Sequence, residues 1–535
     1  MLKRNKYYSV ILFILIVSGY FLNSFQTKTE AIKTSKPNIL FAIADDQSYP
    51  YASGYGTTGV HTPAFDKVAK AGILFENAFV GAPQCSPSRA AMLTGKNIWE
   101  IEEAGTHASY FPKKFSVYTD LLAGVGYTTG FTGKAWRPGN WKDAGWKQNP
   151  VGKEYNSKKL KTAPANGIHL TDYFGNFVDF YSQKKTEQPF FFWYGCHEPH
   201  RKYEDGSGVR AGKTLDEAVV PSFLPNHELI KSDIADYTLE IEWFDKHLGK
   251  MIQFLEEKGE LENTIIVVTA DNGMPFPSAK ANLQEYGTHV PLAVCWPAKM
   301  KGNRVVKDLV ALIDMAPTFL EIAKVENKPK MSGKSLTKLF FSEDDNYNHR
   351  EFVLTGRERH THARPDNLGY PARAIRTADY LYVRNFKPTL WPAGDPTPER
   401  PKGYVRTKGL KAIALGFNDV DGSPSKSFLI DGQNKYTAAY NLAYSKRPAE
   451  QLYDIKNDPG CVLNIADDAS YAAIKNKLSA KLTEQLKAQG DPRVLGYGDI
   501  FDSYPRISSM RDFSGFHERG EYNPAFLQEG QVKIE

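Results

Sequence analysis

The chain carries a set of short, unbroken apolar runs, each of which stops abruptly at a polar cluster. Asn38 to Ala44 (NILFAIA) ends in Asp45-Asp46, and Phe190 to Gly195 (FFFWYG) leads into His197-Glu198-Pro199-His200. Thr264 to Thr269 (TIIVVT) is followed by Asp271-Asn272-Gly273, and a fourth run spans Val290 to Trp296. A strand that is apolar at every position has no face to offer to water, so these runs read as buried parallel strands. Helical spacing lies between them: Ile234, Tyr237, Ile241, Phe244, Leu248, Met251, Ile252 and Leu255 form one apolar stripe, with Ser232 and Asp233 placed to cap its start. Strands alternating with helices predict an α/β fold, a mostly parallel sheet with helices on both faces.

The pattern changes after Asn346. Glu351 to Thr355 and Ala374 to Asn385 read as antiparallel strands, Pro and Gly are dense from Lys387 to Lys408, and Tyr471, Ile474, Leu478, Leu482 and Leu486 form a last amphipathic helix. A chain of 535 residues exceeds what one core usually organises. The expected division is a signal peptide over 1–30, a large α/β domain over 36–345, a smaller α+β domain over 346–504, and a tail over 505–535.

The start supports export. Lys3, Arg4 and Lys6 precede an apolar stretch from Ser9 to Leu22, too short for an ordinary membrane span and placed where a signal peptide lies. A periplasmic or secreted protein with no stable membrane insertion after cleavage is expected. Removing those three cations takes the net charge from +6 to 6 − 3 = +3, and no dense basic run points to nucleic acid. Four cysteines (Cys85, Cys196, Cys295 and Cys461) are too few for a disulfide framework, and no C-x-x-C spacing suggests a zinc site.

In open α/β sheets ligands bind beyond the C-terminal ends of the strands. Parallel strands would therefore bring Asp45, Asp46, Asp271 and Asn272 to one rim, as four oxygen-bearing side chains of the kind hard cations prefer. Taken singly, each dipeptide is equally well a turn or a helix cap. The segment Cys85-Ser86-Pro87-Ser88-Arg89-Ala90-Ala91-Met92-Leu93-Thr94-Gly95 reads as a helix start, with Pro87 in the first turn. Cys85 then sits where free N–H groups favour anions, and Arg89 stands one turn on. A buried structural cysteine before a helix is the plain alternative.

Cys85-Ser86-Pro87-Ser88-Arg89 followed by Ala-x-x-Leu-Thr-Gly resembles the signature of the formylglycine-dependent sulfatases. The likeness runs from Pro37-Asn38-Ile39-Leu40 and Thr62-Pro63 to Leu452-Tyr453-Asp454 and Asp458-Pro459. Within that family the chain is most similar to the sulfamidases (N-sulfoglucosamine sulfohydrolases), through His197-Glu198-Pro199-His200-Arg201, through Asp271-Asn272-Gly273-Met274-Pro275-Phe276-Pro277, and through Lys280-x-Asn282-Leu283. The resemblance implies an alkaline-phosphatase-like sheet and a formylglycine made from Cys85 by a formylglycine-generating enzyme. It also implies one calcium ion held by Asp45, Asp46, Asp271, Asn272 and the modified Cys85. It gives Arg89 the aldehyde hydrate to stabilise, and gives Lys134, Lys280 and His197 the sulfate, with His200 alongside. His197 is the candidate proton donor.

Two positions depart from the family's pattern. Trp136 stands where many sulfatases carry a histidine, so it is expected to stack on a sugar or close the pocket, and Lys280 replaces the arginine of sulfamidases. The implied substrate is a sulfated oligosaccharide or polysaccharide, either heparan sulfate or an algal polymer such as ulvan or carrageenan, cleaved at an ester or an N-sulfate. Arg357, Arg359, His360, His362, Arg373 and Arg376 flank Gly369-Tyr370-Pro371 and are candidates for holding an acidic sugar. Two other readings stay open: a phosphate-ester or phosphonate hydrolase on the same scaffold, and a non-catalytic protein that grips sulfated glycans.

Overall fold

The computed structural model describes residues 36–342, 347–361, 363–364, 368–396 and 416–507. The segment expected to be a signal peptide, His362 and the residues beyond 507 lie outside them. Among the described residues, no helix is long and apolar enough to cross a membrane.

The larger sheet contains β1 (Asn38–Ala44), β2 (Ile73–Phe79), β3 (Thr128–Gly133), β4 (Lys153–Glu154), β5 (Phe190–Gly195), β6 (Thr264–Ala270), β7 (His289–Cys295), β8 (Arg304–Val306) and β9 (Val310–Ala311). Its order is β4-β3-β5-β1-β6-β7-β2-β8, with β9 paired to β2. The five strands from β4 to β6 are parallel. The fourth apolar run differs from expectation: β7 is antiparallel to both β6 and β2. An apolar run reports burial on two faces, which an antiparallel strand in the middle of a covered sheet shares.

The six residues of β5 show how both faces are covered. Phe190, Phe192 and Tyr194 point one way, onto Phe177 and Phe180 of helix α3 (Tyr173–Gln183) and Phe244 of α4 (Glu228–Glu257). Phe191 and Trp193 point the other way, onto Tyr118, Phe41 and Phe319 of α5 (Met315–Ile322). Two further helices precede these in the chain, α1 (Pro63–Ala71) and α2 (Cys85–Thr94). At about 1.5–3 kcal/mol for each large apolar side chain removed from water, a strand of this composition is stable only inside such a sandwich.

Helix α4 begins at Glu228, ahead of the Ser232-Asp233 start that its apolar stripe suggests, and the His227 ring accepts from the Leu229 amide. Asp233 is not a cap. It makes a buried two-pronged ion pair with Arg201, at 2.7 and 2.8 Å.

The second sheet is antiparallel, in the order β10 (Val353–Arg357), β11 (Ala372–Arg376), β12 (Tyr380–Asn385) and β13 (Glu450–Asp454). The segment read as one strand over 374–385 is two, because Thr377 turns the chain through a backbone bond to Tyr380. Helix α6 (Ala472–Ala488) lays Leu478, Leu482 and Leu486 on this sheet, in a cluster that also takes in Phe79 of β2 and Ile98 and Trp99 from the turn after α2.

Candidate active site

Four strand ends meet at one rim. Ala44 pairs with Ala270, Ile43 with Gly195, and Gly133 with Gly195. The residues that follow (Asp45, Asp271, Cys196 and Lys134) therefore leave the sheet side by side. Backbone bonds continue the register past the strands: the amides of Asp271, Cys196 and Lys134 donate to Ala44, Ile43 and Gly195. The approach of the last two loops is so close that a Cβ on Gly195 would lie 1.9 Å from the Lys134 carbonyl oxygen, and one on Gly133 2.0 Å from that of Gly195. Only glycine fits there.

These ends carry a buried cage of three carboxylates and three cations. Arg89 Nε donates to Asp271 Oδ2 at 2.7 Å, Lys134 Nζ to Asp45 Oδ2 at 2.5 Å, and Lys280 Nζ to Asp46 Oδ2 at 2.6 Å. Asn272 Nδ2 donates to Asp46 Oδ1 at 2.7 Å, and the Asp46 amide to Asp271 Oδ1 at 3.0 Å. The guanidinium of Arg89 also reaches the carbonyls of Lys134 and Ala135. Burial raises the Asp45 carboxyl, but Lys134, His200 and Arg89 outweigh it and hold the group well below the usual carboxylate range. Burial pushes Asp46 up to about 7 despite Lys280.

The residues fit a hard cation. Asp45 Oδ1 and Asn272 Oδ1 are buried acceptors with no hydrogen-bond donor. Ligand atoms of Asp45, Asp46 and Cys85 all lie within 4.8 Å of one another. Unsatisfied oxygens beside carboxylates are the donor set that calcium or magnesium takes.

Cys85 is the first residue of α2, with Gln84 as the extended residue before it, and is 1% exposed. Burial pushes its thiol up to about 12, against the pull of Lys134 and Lys280. As a thiol it is therefore protonated near neutrality, a poor nucleophile. All four cysteines are unbridged and buried.

A cavity of about 370 Å³ opens above Cys85, and Asp45, Lys134, Lys280, His197 and His200 line it. The His197 ring stacks on that of His169 at 3.9 Å between centroids. Burial, and then His169 and Lys134, keep His197 well below the ordinary histidine value, and burial with Lys280 takes His200 down to about 3. Behind them, the buried carboxylate of Glu198 accepts from the Tyr173 hydroxyl, the Cys196 thiol and the His169 amide, which fixes the loop that carries both histidines.

Trp136 is a correction. It is 0% exposed, lies against Phe111, and donates its indole N–H to the Ser86 carbonyl at 3.1 Å. It braces the start of α2 and offers no ring face to a sugar. The arginines of the second sheet are also corrected, because burial has already committed them to partners. Arg357 pairs with Asp419, Arg373 with Glu358 and Asp491, and Arg376 with Glu285, while Arg359 donates to the carbonyls of Tyr504 and Pro505. Of that group, His360 does line the cavity. His107, His169 and Asp421 were not expected at all. The two histidines line the cavity, and Asp421 stands 3.5 Å from Lys280.

Comparisons with known proteins identify the family. The sulfatase family model matches residues 37–325, and the model described as N-sulphoglucosamine sulphohydrolase, C-terminal, matches 279–391. An ulvan-active sulfatase of Formosa agariphila is 30% identical over 88% of this chain and 83% of its own length. The human N-sulphoglucosamine sulphohydrolase is 26% identical over 85% of this chain and 91% of its own. Among solved structures, one determined with its substrate D-glucosamine-2-N,6-O-disulfate superposes with a TM-score of 0.60 at 20% identity, over 85% of this chain and 99% of that one. A 2-O glycosaminoglycan sulfatase gives 0.59 at 18% identity, over 86% and 93%. Both likenesses concern the fold.

Proposed function

This chain belongs to the sulfatase family, in the branch that shares the N-sulphoglucosamine sulphohydrolase C-terminal segment, and from that premise we propose that it is an exported hydrolase that removes sulfate from the sugars of a sulfated polysaccharide, with a formylglycine made from Cys85. The supporting observation is the convergence of Asp45, Asp46, Asp271, Asn272, Arg89, Lys134 and Lys280 around a helix-start cysteine that is inert as a thiol. Residues 36–345 would form the catalytic part and 346–504 a smaller part beside it.

Asp45, Asp46, Asp271, Asn272 and the modified Cys85 would hold calcium, which supplies positive charge to the sulfuryl oxygens and the nucleophile. Residue 85, as a hydrated aldehyde, would supply two hydroxyls on one carbon, one as the nucleophile toward sulfur and one whose deprotonation would release sulfate. Lys134 and Lys280 point their ammonium groups into the cavity floor, where they offset charge on the sulfuryl oxygens. Arg89, fixed by Asp271 and two carbonyls, orients residue 85. His197 gives a proton to the leaving oxygen or nitrogen, and the arriving anion favours its protonated form.

The test is expression with a formylglycine-generating enzyme, followed by peptide mass and sulfate release from a panel of heparan, ulvan and carrageenan oligosaccharides. The Cys85 peptide should be about 18 Da lighter than the unmodified one. Sulfate release should disappear with a chelator and return with calcium. A Cys85 that stays a thiol while a control sulfatase matures in the same cells would sink the mechanism and return the phosphate-ester and glycan-binding readings.

A further inference from the structure

The cavity above Cys85 is larger than a sulfate group needs, and its wall is not neutral. Its volume of about 370 Å³ falls among pockets that enclose a small organic ligand. Six cations line it (Lys134, Arg137, Arg201, Lys202, Lys280 and Arg506) against two carboxylates, Asp45 and Glu198. Most of those cations have partners. Lys134 and Lys280 stand on Asp45 and Asp46, Arg201 on Asp233, and Arg506 donates to the His360 carbonyl. Both carboxylates are occupied too, Asp45 by Lys134 and Glu198 by Tyr173 and the His169 amide.

Arg137 and Lys202 differ from the rest. Both are exposed, and neither has an ion-pair partner within 4.0 Å among the described residues. An exposed lysine or arginine is ordinarily a solvated surface charge. The position of these two is what matters. The loop that delivers Lys134 to the floor continues to Arg137 at the rim, and the loop that delivers His197 and His200 continues to Lys202. Each rim cation is thus tied by two or three residues of backbone to a group on the floor. The charge of Arg137 reaches inside, where it is among the groups that disfavour a proton on His197. A sugar with its sulfate on the floor presents its neighbouring substituents to this rim.

We infer, on the sulfatase reading above, that Arg137 and Lys202 bind a second anionic group of the substrate, a carboxylate or a further sulfate, so that the preferred substrate is a sugar unit bearing at least two negative charges. Arginine can grip either group in a bidentate fork and lysine adds a point charge. Because both are solvated, the interaction weakens as salt screens it.

The experiment uses the matured full chain and the double variant Arg137→Ala/Lys202→Ala. Three probes separate the cases: N-acetylglucosamine 6-O-sulfate with one anion, glucosamine 2-N,6-O-disulfate with two sulfates, and an unsaturated uronyl-glucosamine 6-O-sulfate with a sulfate and a carboxylate. Wild type should favour a two-anion probe over the one-anion probe by about ten-fold in kcat/KM at low salt, a modest gain because exposed ion pairs are weak. The double variant should lose that preference, the ratio of kcat/KM between the two-anion and one-anion probes falling to about one. Which two-anion probe gains identifies the carboxylate or the sulfate. Equal rates for all probes in wild type, or a preference that survives in the variant, would overturn the inference. If matured protein releases no sulfate from any probe or from the polysaccharide panel, the hydrolase reading fails, and the rim is then judged by calorimetric binding of the same probes. Ten-fold weaker binding of a two-anion probe by the variant upholds the rim site, and unchanged or undetectable binding in wild type rejects it.

Discussion

At the scale of single residues, burial disfavours the protonated form of both His197 and His200. His197 has its proton affinity lowered first by burial and then by His169 and Lys134. A group with a depressed pKa carries its proton only as pH falls, so an acid role for His197 predicts kcat/KM rising from pH 8 toward pH 6. His197→Ala should reduce turnover by about 10² to 10⁴ and flatten that limb. A full-rate variant, or one that retains the slope, would assign the proton to another donor. Sequence made the cage residues legible because each stands at the end of an apolar run or inside a motif. It misread Arg357, Arg373 and Arg376 because the carboxylates that bind them, Asp419, Asp491 and Glu285, lie 62, 118 and 91 positions away. It missed His107, His169 and Asp421 because single polar residues in loops have no period or spacing to mark them.

At the scale of elements, the rim depends on how closely β3 and β5 run as they leave the sheet. The absent side chains of Gly133 and Gly195 let the Lys134 backbone lie against β5, where its amide donates to Gly195 at 2.6 Å. Gly195→Ala would set a methyl 1.9 Å from the Lys134 carbonyl, so the two loops must separate. The expected cost is roughly 3 kcal/mol, at the upper end for overpacking, with sulfate release lost because Lys134 leaves Asp45. Calorimetric unfolding of the variant checks this, and a loss below about 1 kcal/mol would show that the loops are slack. Strand positions were readable from composition, but the direction of β7 and the start of α4 were not. Burial leaves the same mark on parallel and antiparallel strands, and a helix can extend beyond the stripe it buries.

At the scale of the whole molecule, the two sheets are joined by charge as well as by the cluster around Trp99. Arg376 of β11 reaches across to Glu285, just before β7, at 2.7 Å, and His289 lies 3.1 Å from the same carboxylate. Burial alone would raise Glu285, but Arg376 and His289 reverse it and bring the group down to about 2. A carboxyl depressed in the folded state stabilises above its unfolded pKa and loses that contribution as pH falls toward the folded value. The contribution should be complete above about pH 4.5 and fade toward pH 2, with a total of roughly 3 kcal/mol at about 1.4 kcal/mol per pKa unit. Denaturant titration of wild type and Glu285→Gln from pH 6 down to pH 3.5 should show the two converging. A constant gap would place the stabilisation elsewhere.

The enclosure of Cys85 has a consequence for any preparation of this protein. With 1% of its surface exposed and the strand ends closed around it, the side chain is out of reach of another enzyme's active site once the sheet has formed. On the formylglycine reading, each molecule has a single window for activation, between synthesis and folding. A folded sample is then a fixed mixture of competent and permanently silent copies, so its specific activity records the history of its production rather than the conditions of the assay.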